Sequence, residues 1–258
     1  MSSNILKLIA CVTMLCDHIG YCLQSASYGS IAPDIGSVLR LIGRMAFPIF
    51  AFLIAEGFKK THNVVLYAGR LILAGIISEI PFNLCFYGEI KYTPTLNVMF
   101  SLATALLALI FADMCIKSSR KEVRFLFVVP VFAACYLANT SGMDYGYWGI
   151  ILIFLFYSVD TNSIQKKLML IPVTLLFAAR RIIEAAIRGQ TADEWGKKQL
   201  FSLLALIPLM LYNGKIGSAG GAKSARKIKQ YFFYLFYPAH LLILWAVFSN
   251  LDKITALF

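Results

Sequence analysis

Aspartate and histidine stand side by side at Asp17-His18, inside an otherwise apolar run from Ile5 to Leu23. Imidazole, with an unperturbed pKa near 6.5, is the side chain best suited to take and return a proton near neutrality. The run around it is long enough to cross a bilayer, which takes about 20 predominantly apolar residues. Ionisable groups at that depth cost at least about 2.5 kcal/mol each on insertion scales, so they are kept chiefly where they act. Polar and ionisable groups recur on separate runs: Arg40 with Arg44, Glu79 with Asn83, Asn97, and His240 in the last. Asp17 and His18 project about 100° apart on a helix, so each must find its partner on another element. Arg44 is the natural counter-charge for Asp17 or Glu79, since a buried carboxylate needs one. That leaves His18 or His240 as the general base.

The elements that must position these groups are membrane helices. The 258-residue chain is 59% hydrophobic and 14% charged, with mean hydropathy +0.73, whereas an average soluble domain is about 25% charged. It reads as an all-α, polytopic integral membrane protein, a single transmembrane domain over residues 1–258. Apolar runs near spanning length number about nine. They are Ile5–Leu23, Val38–Gly57, Val64–Tyr87, Asn97–Ile116, Val123–Ala138, Tyr145–Val159, Leu168–Ile187, Gln199–Tyr212 and Tyr231–Ser249. All should be helices, because a lone span must satisfy its backbone internally. The fifth, sixth and eighth are short and call for tilt or local thinning. Six of the eight prolines (Pro48, Pro81, Pro130, Pro172, Pro208, Pro238) fall within the runs, and each is expected to kink its helix. No repeat of fixed period is visible. The first run, with Asp-His inside it, reads as a retained span rather than a cleaved leader.

The excess of 24 Lys+Arg over 13 Asp+Glu has a topological source, because cytoplasmic loops of membrane proteins are rich in Lys and Arg. No basic stripe on a soluble face points to nucleic acid. Lys59-Lys60, the run Lys117 to Lys121, Lys166-Lys167 and Lys223 to Lys229 fall in alternate loops, while Gln24–Ser37 and Asn139–Asp144 carry no Lys or Arg. The positive-inside rule then places the N-terminus in the cytoplasm and, with nine spans, the C-terminus outside. One stretch conflicts: Arg180, Arg181, Arg188, Lys197 and Lys198 would lie outside. Either the count is off by one near Leu168 or Arg180–Lys198 is an interfacial or re-entrant helix. The Gly- and Ala-rich stretch from Gly217 to Lys223 reads as a flexible linker. On this map Asp17, His18, Arg44, Glu79, Asn83 and His240 fall in one layer displaced outward, and are expected to share a polar cavity. Glu56, Asp113 and Arg70 lie near span ends, where snorkelling to the interface is expected.

Several chemistries find no support. There is no Walker or Gly-x-Gly-x-x-Gly phosphate loop, no His-Glu-x-x-His pair and no Gly-x-Ser-x-Gly elbow. The six cysteines (Cys11, Cys16, Cys22, Cys85, Cys115, Cys135) mostly lie within apolar runs without metal spacing, and read as packing residues; no metal is expected. A proton-coupled transporter remains open, since buried Asp, His, Glu and Arg suit one equally, although transporters usually show two similar halves. A catalytically inactive scaffold is the third reading.

Six segments recur in a recognisable order: Leu15-Cys16-Asp17-His18-Ile19-Gly20, Leu41-Ile42-Gly43-Arg44-Met45-Ala46-Phe47-Pro48-Ile49-Phe50, Ile77-Ser78-Glu79-Ile80-Pro81-Phe82-Asn83, Asn97-Val98-Met99-Phe100, Asp144-Tyr145-Gly146-Tyr147-Trp148-Gly149 and Phe236-Tyr237-Pro238-Ala239-His240-Leu241. Each is weak alone; together, at these spacings, they are specific. On them the chain resembles the TraX family of bacterial membrane proteins along nearly its whole length. The resemblance implies a multi-spanning enzyme of a bacterial cytoplasmic membrane that moves an acetyl group from acetyl-CoA to the N-terminal amine of conjugative pilin. It also implies a distant similarity to membrane acyltransferases of the acyltransferase 3 type that modify glycans. In those a first-helix histidine is thought to be catalytic, which favours His18 over His240. Acyl transfer fits the residues. A base, with Asp17 and Glu79 as its carboxylate companions, would deprotonate the acceptor. Arg44, Asn83 or Asn97 would meet the developing oxyanion. The donor's phosphates would need cations, from the basic loops or from Arg180, Arg181 and Arg40. The expected partners are acetyl-CoA, a protein or peptide N-terminus or another amine or hydroxyl acceptor, and the lipid bilayer. The same chemistry on a surface glycan or small molecule is the alternative within this class.

Overall fold

The computed structural model describes residues 1–90, 95–161, 163–215 and 223–251, with residues 164 and 223–230 described by their backbone alone. In chain order its helices are α1 (Ser3–Gln24), α2 (Pro33–Gly43), α3 (Ala46–Lys60), α4 (Val64–Tyr87), α5 (Val98–Ile116), α6 (Lys121–Phe125), α7 (Val128–Thr140), α8 (Gly146–Ser158), α9 (Ile164–Lys167), α10 (Leu170–Ile187), α11 (Glu194–Lys198), α12 (Leu206–Met210) and α13 (Lys223–Ser249). Two 3₁₀ helices, Ala26–Tyr28 and Gln199–Ala205, complete them. The one extended pairing among the described residues is an isolated bridge, Leu96 with Met143. The polarity is that of a membrane protein. Leu73, Phe111, Phe132 and Leu235 lie on the outside, while Glu56, Asn83, Asn97, Arg180 and His240 are buried. A soluble helix does the reverse.

The two ends of the bundle differ in charge. At one end the Met1 ammonium donates to the Leu211 carbonyl at 2.6 Å, Lys59 to the Val159 carbonyl at 2.6 Å and Lys60 to the Tyr212 hydroxyl at 2.6 Å, while Lys167 donates to the Tyr212 carbonyl. These contacts gather the N-terminus and the lysine-bearing turns on one face, as the loop charges require. At the other end the Tyr28 hydroxyl donates to the Cys85 carbonyl at 2.9 Å, Tyr28 lies against Phe248, and Arg40 lies over Trp195. Joining those contacts along the chain, the described residues pass between the ends in α1, α2 with α3, α4, α5, α6 with α7, α8, α10, the second 3₁₀ helix with α12, and α13.

Six of these passes are long and apolar enough to cross a membrane: Ser3–Gln24, Pro33–Lys60, Val64–Tyr87, Val98–Ile116, Lys121–Thr140 and Tyr231–Ser249. The fifth gains the length its apolar run lacks from α6. The other three are the 13-residue α8, α10 with Arg180, Arg181 and Glu184 in its last turns, and the 3₁₀–α12 pass.

The prolines act differently from the expectation. Pro81 and Pro238 lie inside continuous helices, but Pro48, Pro130, Pro172 and Pro208 each occupy the third residue of a helix. A first-turn N–H has no helical partner, so its loss there costs little. Instead of bending four rods, these prolines restart helices after short joints: Arg44-Met45, Leu126-Phe127 and Leu168-Met169 are turn residues, and Pro208 follows the 3₁₀ segment. Arg44 therefore sits on a joint, not on a helix face.

The stretch that conflicts with the charge rule also has a plain form. Helix α10 continues through Arg180 to Ile187, and the chain turns into α11, whose N-cap Asp193 accepts from the Gly196 N–H at 2.7 Å. Arg180–Lys198 is thus not one continuous helix but the end of α10, a turn and the short α11. Its cations do stand on the end opposite the lysine-rich turns. The expectation of snorkelling fails for Glu56, which is 3% exposed and ion-paired to Lys59 and Lys60. The expected linker at Gly217 to Lys223 falls, apart from Lys223, on residues outside those described, as do the side chains of Lys223 to Lys229 and the C-terminal residues 252–258.

Candidate functional site

Glycines bring α1 against α2. A Cβ on Gly43 would stand 2.3 Å from the Asp17 Cβ, one on Gly20 2.6 Å from the Gly36 carbonyl, and one on Gly36 2.7 Å from the Gly20 carbonyl. Small residues that let backbones touch are the common device for helix association in lipid, where no hydrophobic drive operates between helices. The close approach seats Asp17 among arginines. Arg44 hydrogen-bonds and ion-pairs with Asp17 Oδ1, and its Nε donates to the Arg40 carbonyl at 3.2 Å. Arg40 Nε stands 3.8 Å from the same Asp17 oxygen. Its guanidinium lies between the Tyr21 ring at 5.5 Å and the Trp195 ring at 4.3 Å.

His18, one residue on, faces α13. His18 Nδ1 and His240 Nε2 are 2.7 Å apart, and His240 Nδ1 is 2.7 Å from the Phe236 carbonyl. A carbonyl can only accept, so His240 carries its proton on Nδ1 and presents a bare Nε2. His18 must then donate from Nδ1, which leaves His18 Nε2 as the free lone pair of the pair. The two rings lie nearly parallel, 7° apart, with Phe86 of α4 edge-on to His18 at 5.2 Å. The sequence leaves His18 and His240 as rival bases. The geometry makes them one unit, with the open nitrogen on His18.

Glu79 and the two asparagines serve a different contact. Asn97 is the N-cap of α5, its Oδ1 accepting from the Met99 N–H at 3.1 Å. Its amide donates to the Gly75 carbonyl at 2.9 Å and to Glu79 Oε2 at 2.5 Å. Both amide hydrogens are committed, so Asn97 ties α5 to α4 and is not placed as an oxyanion donor. Asn83 is 1% exposed on α4, one turn beyond Glu79. The ring contact α4 makes with His18 is through Phe86, and Glu79 Oε2 is taken by Asn97.

The three arginines expected to hold donor phosphates separate. Arg181 is exposed at the end of α10. Arg180 is 9% exposed, its Nη1 donating to the Phe177 carbonyl at 3.3 Å and its guanidinium 4.2 Å from the Phe177 ring and 5.6 Å from the Tyr145 ring. Together with Arg40 it lies toward the end away from the lysine-rich turns.

Sequence reasoning missed Asp144 and Tyr145, quoted in a motif but given no role. Tyr145 is a non-glycine residue at φ 63°, stacked on Phe47 with centroids 3.7 Å apart, and its N–H donates to Asp144 Oδ1 at 2.9 Å. Such a left-handed conformation is uncommon outside glycine and persists only where the surroundings over-determine it. The Asp144 backbone is held by Leu96 and by the Ser101 hydroxyl. Tyr145 stacks on Phe47 of α3 and lies against Phe177 and the Arg180 guanidinium of α10, 5.6 Å from the latter, which makes it a link between α3 and α10. The signal was there: a carboxylate and a tyrosine just ahead of a glycine, in a turn free of Lys and Arg.

Helix α8 then fixes α10. The Tyr147 hydroxyl donates to Glu184 Oε1 at 2.5 Å, and the Trp148 indole N–H donates to the same oxygen.

Comparison with known proteins agrees with the sequence resemblance. No solved structure matches the chain. It is 30% identical over 262 residues to the probable fimbrial assembly protein FimC, serogroup H1, of Dichelobacter nodosus, across 95% of this chain and 97% of that protein. Residues 2–248 match the family described as TraX protein, so His18, Arg44, Tyr145 and His240 all lie within the matched span and the chain belongs to the TraX family.

Proposed function

We propose that this chain is a membrane-embedded acetyltransferase of fimbrial or pilus assembly, moving an acetyl group from acetyl-CoA to an acceptor amine. The observation that carries the reading is the ordered His18–His240 pair, which leaves His18 Nε2 free as a proton acceptor one residue from the Asp17–Arg44 ion pair. The name of the Dichelobacter relative, a probable fimbrial assembly protein, supplies the setting.

The chemistry follows. The acceptor nitrogen attacks the thioester carbonyl carbon, a C–N bond forms, and the C–S bond breaks to release CoA. The proton lost by the nitrogen passes to His18 Nε2. His18 then carries both ring protons, and the Nδ1–H to His240 Nε2 disperses the new charge. The proton leaves with the CoA thiol, which restores the pair. His240 is a positioning residue: its bond to the Phe236 carbonyl fixes which nitrogen of His18 is open. Arg44, whose Nε and Nη2 are engaged, keeps Nη1 for the oxyanion. Donor phosphates suit the lysine-rich end, which the loop charges assign to the cytoplasm. On α1, Lys7 lies on the same helix face as His18, about 16 Å nearer that end. Its Nζ is 5.4 Å above the Phe233 ring of α13.

The test is release of CoA thiol by the purified protein given acetyl-CoA and an amine-bearing peptide. His18→Gln should fold and bind acetyl-CoA yet lose about 10² to 10⁴ in turnover, the usual share of a general base. His240→Gln should lose less, and its pH profile should move, because the tautomer of His18 is no longer fixed. Full turnover in both variants would remove histidine from the mechanism. No thiol release with any acceptor, alongside acetyl-independent proton flux, would favour the transporter.

A further inference from the structure

The arginines opposite the lysine-rich end are incompletely answered. Arg40 Nε is buried without a hydrogen-bond partner, and the nearest carboxylate oxygen stands at 3.8 Å, outside hydrogen-bond reach. Arg180, buried beside Tyr145, rests on one carbonyl and makes no ion pair among the described residues. Aromatic rings cover guanidinium faces at both, Tyr21 and Trp195 at Arg40, Phe177 and Tyr145 at Arg180. That arrangement leaves the N–H edges for an acceptor. The carboxylates around them are Asp17, given mainly to Arg44, Asp144, which accepts from the Tyr145 N–H, and Glu184, which is held by Tyr147 and Trp148. Of these three carboxylates Asp17 alone is ion-paired to arginine among the described residues, closely to Arg44 and at 3.8 Å to Arg40. A largely buried guanidinium with idle donors is unfavourable unless an anion comes to it. The cations also stand where the positive-inside rule disfavours them, so topology does not account for their presence.

The geometry points to an acceptor that is itself anionic: a peptide whose carboxylate side chain docks between Arg40 and Arg180, one or a few residues from the amine presented to His18. Arg40 reaches the Asp17 oxygen one residue from His18, which sets that short spacing. The inference rests on the proposed transfer reaction and assigns the acceptor class. It reads these arginines as acceptor ligands in place of donor-phosphate ligands, because they lie at the end away from the lysine-rich turns.

The experiment uses the full chain in nanodiscs of zwitterionic lipid. Two synthetic hexapeptides with free N-terminal amines are compared, one with aspartate among its first four residues and one with asparagine there. Binding is read by equilibrium dialysis and transfer by mass spectrometry. The aspartate peptide should bind about tenfold or more tightly, the scale of one charge-assisted pair. Arg40→Gln should reduce the preference to about twofold or less. His18→Gln should keep the preference in binding while losing transfer. If Arg40→Gln fails to accumulate, Trp195→Ala, at the rim of the site, removes the ring that holds Arg40 and should weaken the same preference. Equal binding of the two peptides by the unaltered protein overturns the inference, whether or not acetyl transfer occurs. A clear aspartate preference with no transfer leaves the anionic site standing and counts against the acetyltransferase. If anionic lipid in the nanodisc abolishes the preference, the arginines serve lipid phosphate and the inference falls.

Discussion

At the lysine-rich end, Glu56 is enclosed by Lys59 at 3.4 Å, Lys60 at 2.8 Å and the Thr161 hydroxyl at 3.3 Å. Lys60 goes on to the Tyr212 hydroxyl and the Gly214 carbonyl, and Lys117 pairs with Asp113 at 2.7 Å. At the arginine end, Arg40 Nε has no hydrogen-bond partner, only Asp17 Oδ1 at 3.8 Å, and Arg180 has one carbonyl. The first end resembles a lock, with Glu56, Lys59 and Lys60 joined to groups from two or three passes. The second resembles a receptor. Both ends bury charge, but Arg40 and Arg180 keep donors spare beside aromatic rings, and spare donors are what a ligand needs. The difference separates charges that hold helices together from charges that act.

The sharpest way to break that contrast is at Glu56. Glu56→Ala should strand Lys59 and Lys60 against buried groups and unfasten α3 from the Thr161 and Tyr212 turns. A loss of about 3–5 kcal/mol is the scale for removing one partner of a buried pair. It should appear as poor accumulation or a large fall in thermal midpoint, with whatever protein survives keeping its transfer activity per molecule. A stable Glu56→Ala protein with impaired transfer would place chemistry at the lysine end and collapse the distinction.

A smaller effect is expected at Gly43. A methyl there meets the Asp17 Cβ at 2.3 Å, its Oδ1 at 2.6 Å and its Cα at 2.7 Å, and a rotamer change moves neither the Cβ nor the Cα. Gly43→Ala should cost about 1–3 kcal/mol as an overpacked contact. Because Asp17 must move, transfer should fall more than stability does, whereas Gly69→Ala, in open space, should change neither. Equal losses at the two glycines, read by thermal midpoint and turnover, would show that the α1–α2 contact does not set the site.

How much of this was legible from the sequence depends on the kind of signal. Helix type and membrane class followed from apolar runs, and the grouping of Lys59, Lys60, Lys166 and Lys167 on one face followed from loop charge. That Arg44 pairs with a carboxylate was legible, because a buried carboxylate has few alternatives. The sequence left Asp17 and Glu79 both open, and the structure pairs Arg44 with Asp17. That His18 and His240 share a layer was legible from their depth. Their direct hydrogen bond was not, since the two are 222 residues apart and tautomers follow from neighbours, here the Phe236 carbonyl. Prolines were misread because periodicity cannot tell a kink from a restart at the third residue. Asn97 was misread because its amide is consumed by Gly75 and Glu79, contacts that depend on the crossing of α4 with α5. Asp144 and Tyr145 were passed over because a short turn between spans looks like a connection until its backbone conformation is known.

The smallest effect tests the same contrast through pH. Asp144 lies outside the spans, in the turn between α7 and α8, and burial pushes its carboxyl up to about 6 while Arg44 pulls the other way. A free carboxyl titrates near 3.9. The folded state therefore holds this proton more tightly than the unfolded chain does. The resulting stability is fully present below about pH 4, fades as the pH rises, and is gone above about pH 6. Asp144→Asn removes that dependence without changing size or the N–H contact to Tyr145. The thermal midpoint of the unaltered protein should drop more steeply than that of Asp144→Asn between about pH 4 and pH 6, with the two curves parallel above about pH 7. Parallel curves throughout would mean that Arg44 holds Asp144 ionised across the range. The arginine end would then have one fewer spare cation than its geometry suggests, and the site would be closer to the matched condition of the lysine end.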